Sequence, residues 1–190
     1  MQYNPDKHHR RSVRLRGYDY SRPGAYFFTV CLENRDEWLF GDVIRGEMRL
    51  NEFGKIVWDE WRRTPEIRGE MALDTFVVMP NHIHGIVWIV PCRGIRPDAP
   101  TLAANVHNIS TLPITEKHGP SKWSLGSFVA GFKSITTRRI NEIRQTPSVP
   151  VWQRNYNEHI IRHTGELDSI RRYIAENPAQ WKLDSENPRL

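Results

Sequence analysis

The chain has 190 residues, with 27 Lys and Arg against 22 Asp and Glu, a net charge of +5 and a pI of about 9.4. That length buries one real core, and the positive surplus favours an anionic partner, nucleic acid first. Cys31 and Cys92 are too few for a disulfide framework or a cysteine-type zinc site. No apolar run nears the ~20 residues of a membrane span, and the N-terminus lacks a signal-peptide core, so a cytoplasmic protein is expected.

Residues 1–24 read as a basic arm. Lys7, Arg10, Arg11, Arg14 and Arg16 precede Tyr18 and Tyr20, a mixture suited to phosphates and stacked bases; the bland alternative is a solvated tail. Residues 25–182 carry the folded domain. Ala25–Leu32 is aromatic and β-branched, hence an interior strand. Trp38–Val43 and Gly46–Leu50 suit a hairpin appended to the main sheet. Asn51 is placed to cap a helix over Glu52–Arg63, with Phe53, Ile56, Val57 and Trp61 as its apolar stripe and Thr64-Pro65 as its stop. Met71–Met79 is the next strand.

The most informative stretch follows. Pro80-Asn81 turns the chain into His82-Ile83-His84, the mouth of an apolar strand reaching Val90. Residues two apart in a strand project from one face, so both imidazoles point the same way from a stiff support. Such a pair is often just polar decoration. Here Ile83, Val87 and Ile89 line one face while Ile86, Trp88 and Val90 continue the other. A strand apolar on both faces is interior, and buried histidines need partners; a divalent metal is the economical one.

Residues 91–123 hold five prolines and no sustained periodicity, and read as a loop insertion. Ser124–Arg144 is the clearest helix, with Leu125, Phe128, Val129, Phe132, Ile135, Ile140 and Ile143 at helical spacing. Lys133, Arg138, Arg139 and Arg144 lie mainly off that stripe. Val151–Arg162 gathers Tyr156, Glu158 and His159 between aromatic and aliphatic anchors. Thr164 is expected to cap a C-terminal helix over Gly165–Glu176, and residues 183–190 are a tail.

Three segments resemble one family. Val78-Met79-Pro80-Asn81-His82-Ile83-His84-Gly85, the helix around Ser127–Ser134, and Val151-Trp152-Gln153-Arg154-Asn155-Tyr156 with Glu158-His159-Ile160-Ile161-Arg162 are similar to the REP-associated tyrosine transposases of the single-tyrosine HUH superfamily (His, hydrophobic, His). The likeness runs from about Tyr26 to Trp181. It departs at Asn157, where members often carry an aromatic, and in the length of the 91–123 insert.

The resemblance implies an α+β, ferredoxin-like antiparallel sheet with helices packed on it. It implies that His82 and His84 hold Mg²⁺ or Mn²⁺ against the scissile phosphate of single-stranded DNA beside a REP-type hairpin, and that one tyrosine forms a covalent 5′-phosphotyrosine link. Tyr156 matches the motif, while Tyr173 reads as an ordinary helix aromatic. His159 is the first choice for a third ligand and Glu158 its rival on charge. If Tyr156 and His159 share a helix, they share a face. Expected DNA contacts are Arg10, Arg11, Arg14, Arg16, Lys133, Arg138, Arg139 and Arg154. The protein would work as a monomer or homodimer, away from membranes, associated with the nucleoid. Two other functions fit the composition: a nucleic-acid-binding module on the same scaffold without turnover, and a metal hydrolase that activates water.

Overall fold

The structure, a computed structural model, describes residues 15, 17–90, 123–184 and 186–188. Residues 1–14 and 16 of the arm, the insert through residue 122, and residues 185, 189 and 190 lie outside the described residues, and with them Arg10, Arg11, Arg14 and Arg16.

The fold is α+β. Strands β1 (Gly24–Cys31), β4 (Met71–Val78), β5 (His82–Ile89) and β6 (Asn157–Ile161) form one antiparallel sheet in the order β4-β5-β1-β6. Between β1 and β4 come a hairpin, β2 (Gly41–Ile44) with β3 (Glu47–Leu50), and helix α1 (Glu52–Ile67); α2 (Leu125–Arg144) joins β5 to β6, and α3 (Thr164–Glu176) follows. With the hairpin set aside, this is the split β-α-β order of a ferredoxin-like domain. The hairpin forms its own two-stranded sheet rather than extending the main one. Arg45 and Gly46 both take positive φ, +54° and +79°, the conformation that lets a two-residue turn follow the twist of its strands.

The helices divide between the two faces of the sheet. Ile56, Val57 and Trp61 of α1 and Leu125, Phe128, Val129 and Phe132 of α2 bury against Tyr26, Phe28, Val30, Ile83 and Val87. Leu167, Ile170 and Ile174 of α3 cover the opposite face, against Ala25, Phe27, Val77, Ile86 and Trp88. Strand β5 is therefore apolar on both sides because it is covered on both sides. Asn51 caps α1 by accepting from the backbone N–H groups of Phe53 and Gly54, each at 3.0 Å. That helix continues past Pro65 to Ile67, because the Arg68 N–H still reaches the Thr64 carbonyl at 2.8 Å. The cap of α3 is His163 rather than Thr164: its Nδ1 accepts from the Glu166 N–H at 3.2 Å, while the Glu166 carboxylate accepts from the Arg162 N–H at 2.7 Å. That reciprocal pair satisfies two donors at the helix start.

Register is set at two points. Asp74 and Thr75 together oppose Ile86, a bulge between the Leu73–Val87 and Phe76–Gly85 pairs, and it turns Asp74 toward the α3 face. Gly85, next to His84, lies under two rings: a Cβ there would meet Phe28 at 2.8 Å and Phe76 at 2.9 Å. Phe76 is in turn stacked on Trp61, with ring centroids 4.2 Å apart, so neither ring has room to retreat. Gly85→Ala should lower stability by about 1–3 kcal/mol through overpacking, read as a Tm several degrees lower; an unchanged Tm would show that the aromatic layer yields.

Candidate metal centre

His82 and His84 occupy the α3 face at the start of β5, opposite Cys31 and Thr29 of β1. Both are buried, at 0% and 3% exposure. Each imidazole is held at its outer nitrogen: His82 Nδ1 lies 2.9 Å from Asn81 Oδ1, and His84 Nδ1 lies 2.7 Å from Thr29 Oγ1. Asn81 is oriented by its own amide, which donates to the carbonyls of Arg35 and Glu186 at 2.7 Å each. Its Oδ1 thus accepts the Nδ1 proton of His82 and leaves Nε2 as a bare lone pair. The two Nε2 atoms face each other at 3.0 Å. Outer hydrogen bonds that aim inner nitrogens at one point suit metal ligation.

The third group comes from the far end of the chain. Asp184 follows a short 3-10 turn (Trp181–Leu183), and its Oδ2 lies 3.9 Å from His82 Nε2. Donor atoms of His82, His84 and Asp184 all fall within 4.8 Å of one another, and this is the one such buried cluster among the described residues able to hold a metal ion. Asn177, 3% exposed, donates its Nδ2 to Asp184 Oδ2 at 2.8 Å, while its Oδ1 is buried with no hydrogen-bond partner among the described residues. An orphaned amide oxygen is costly unless something positive meets it. Two imidazoles, a carboxylate and that oxygen fit a divalent cation.

Electrostatics agree. Burial pushes His82 well below the ordinary imidazole value, with His84 and Arg35 adding to the effect. Burial likewise lowers His84 to about 4, against an opposing pull from Asp184. Both rings are neutral at physiological pH, the form that ligates.

Tyr173, on α3, places its hydroxyl 3.2 Å from His84 Nε2, with the ring still 45% exposed. Burial and Asp184 raise its phenol above the ordinary value. A cavity of about 220 Å³ opens here, lined by Tyr173, Asn177, Gln180, Leu183 and Asp184.

The structure places the expected site residues on both faces of the sheet. Asn157–Ile161 is a strand, and Tyr156 directly precedes it. Tyr156 packs half-buried against the core on the α1–α2 side. His159 does share their face, opposite Phe27, but its Nε2 bonds Glu166 Oε1 at 2.6 Å and it stands apart from the cluster. Glu158 faces Phe28, on the other side. The sequence reading missed Asp184, placed in a presumed tail, and discounted Tyr173. The cations expected on DNA divide as well. Arg139 turns inward to the buried Glu60 at 2.6 Å, and Lys133 Nζ donates to the carbonyls of Gln153 and Arg154. Arg138 and Arg154 remain exposed.

A fork locks α3 over the site. Arg171, two residues before Tyr173, donates Nε to Asp74 Oδ1 at 2.9 Å and Nη2 to Oδ2 at 2.6 Å, and Trp88 Nε1 adds a bond to Oδ2 at 2.9 Å. Burial would raise the Asp74 pKa, but Arg171, Trp88 and Thr75 together bring it down to about 2. A depressed carboxylate stabilises the fold above its unfolded value of 3.8 and loses that contribution as pH falls through about 2. Asp74→Asn should therefore cost about 2 kcal/mol at pH 7, and the gap to the parent should close toward pH 2 in urea unfolding. A gap of equal size at both pH values would contradict the fork's electrostatic role.

No family model matches the sequence. The chain is 38% identical over 185 residues to an uncharacterised protein of Haemophilus influenzae, covering 96% of this chain and 95% of that one. Among solved structures it is similar to a REP-associated tyrosine transposase bound to a REP hairpin, with a TM-score of 0.56, 21% identity, and coverage of 88% of this chain and 73% of the other. No helix among the described residues is long and apolar enough to cross a membrane. The chain thus belongs to the family of the Haemophilus influenzae protein and has a tyrosine-transposase-like fold.

Proposed function

We propose that this protein is a metal-dependent enzyme that nicks and rejoins single-stranded DNA beside a hairpin, through a covalent tyrosine intermediate. The nucleophile in this reading is Tyr173, in place of Tyr156. One observation carries it: the Tyr173 hydroxyl, 3.2 Å from His84 Nε2, borders a cavity shared with Asp184 and Asn177.

His82, His84 and Asp184, with Asn177 Oδ1, would hold the ion, and the two oxygens among the four donors favour Mg²⁺ or Mn²⁺ over softer metals. When bound, such an ion offsets the charge on a non-bridging phosphate oxygen. The chain's own groups do the rest. Tyr173 Oη attacks phosphorus, the bond to the 3′ oxygen breaks, the phenol proton is lost and the leaving oxygen gains one. The products are a 5′-phosphotyrosine and a free 3′-hydroxyl, and reversal by a second 3′-hydroxyl rejoins the strand. Positioning supplies much of the rate in phosphoryl transfer, and the Arg171–Asp74 fork provides it by fixing the turn of α3 that bears Tyr173. The basic charge suits a chromosomal substrate.

Hairpin oligonucleotides with randomised single-stranded flanks, labelled at the 3′ end and incubated with Mn²⁺, test this directly. A denaturation-resistant protein–DNA adduct should form, vanish in Tyr173→Phe by at least about a thousandfold, and persist in Tyr156→Phe. Loss in Tyr156→Phe with retention in Tyr173→Phe would overturn the assignment. Cleavage without an adduct would indicate a water-using hydrolase, and binding without cleavage a recognition module.

A further inference from the structure

Lys133, Arg138 and Arg154 meet at a groove on the other side of the sheet from the metal centre. It has a volume of about 770 Å³ and lies between α2 and residues 145–154. Its outer wall is apolar yet uncovered among the described residues: Pro147, Val149 and Pro150 are exposed, Val149 by 41%. The wall is also pre-built. Asn141 Nδ2 donates to the Val149 carbonyl at 2.7 Å, Lys133 Nζ ties down the carbonyls of Gln153 and Arg154, and two prolines stiffen the turn. Ser148 is held at φ +67°, a strained setting for a side-chain-bearing residue, of the sort that collects at ligand clamps. Arg138 and Arg154 stand on the lining, and the acid beside them, Glu142, lies 3.8 Å from Arg138.

The groove is joined to the metal centre through the backbone. The Glu33 N–H bonds the Val151 carbonyl at 2.9 Å and the Gln153 N–H bonds the Cys31 carbonyl at 3.0 Å, while Cys31 sits opposite His82. At strand spacings near 4.8 Å, the groove's floor is roughly 10 Å from the histidine strand. A polymer at the metal centre needs only to round the sheet edge to enter the groove.

We propose that this groove binds an unpaired stretch of the same DNA strand whose phosphate lies at the metal centre, with bases against Pro147, Val149 and Pro150 and phosphates on Arg138 and Arg154. An unpaired strand fits this chemistry because its base faces are available to an apolar wall, whereas a duplex stacks them away. The charge selects an anionic polymer over a neutral peptide. The strand's identity rests on the transferase reading above.

The test uses the full chain, fluorescence anisotropy, and a fluorescein-labelled single-stranded oligodeoxynucleotide beside a duplex of equal length. Val149→Asp should weaken single-strand binding by about tenfold, the worth of one lost base contact, with duplex binding and Tm unchanged. The pair Arg138→Ala and Arg154→Ala should also reduce the salt slope by about two. Unchanged single-strand affinity in both variants overturns the proposal. So does self-association of the parent that Val149→Asp abolishes, which would assign the groove to a second copy. The adduct assay keeps the two ideas separable: weakened binding without any adduct in the parent leaves the groove standing and removes the transferase, while a normal adduct with unchanged binding in both variants does the reverse.

Discussion

The β1–β5 pairing governs what this molecule can do. It sets Thr29 across from His84 and Cys31 across from His82, so that one imidazole is fixed by the neighbouring strand and the other by Asn81 at the entering turn. With both outer nitrogens engaged, both inner nitrogens are driven toward one buried point. Two buried lone pairs so arranged are unfavourable unless a proton or a cation lies between them. The contact is met either by one ring's own N–H, with Thr29 then donating to His84 Nδ1, or by a cation, and burial keeps both rings uncharged.

Tyr173, Asn177 and Asp184 arrive from later in the chain and depend on the α3 face being apolar. Leu167, Ile170 and Ile174 seat α3 on Phe27, Ile86 and Trp88, and the β4 bulge turns Asp74 up to receive Arg171. That seating brings Tyr173 to His84 and Asn177 to Asp184. Phe27 also stacks on His84, with centroids 5.5 Å apart, and Trp181 lies beside His82 at 5.9 Å. These rings cover two imidazoles that are already buried, and a low-dielectric setting strengthens charge interactions there.

Where period alone decides, the sequence was a good guide. The alternation around His82 and His84, the stripe of α2 and the cap at Asn51 are local patterns with local causes, and each is found in the fold. The site's remaining members have no local pattern. Tyr156 and His159 are three apart, which means one face on a helix; His159 instead sits in a strand paired with β1, and Tyr156 directly precedes that strand. Tyr173 looked like a packing aromatic because nothing nearby distinguishes it, and only α3's docking reveals its neighbour. Asp184 is about a hundred positions from the histidines and follows a single 3-10 turn. The one sequence hint was an acidic residue just after Trp181, an aromatic that anchors the chain end.

In the proposed centre, two strand-borne imidazoles and the Asp184 carboxylate share one ion. Electron spin-echo envelope modulation on Mn²⁺ added to the full chain reads those ligands directly. Nitrogen modulation from two imidazoles should appear, fall to one in His84→Ala, and remain at two in Asp184→Ala and His159→Ala, with weaker Mn²⁺ affinity in His84→Ala and Asp184→Ala but not in His159→Ala. A spectrum without imidazole nitrogen, or one that changes only in His159→Ala, would contradict it.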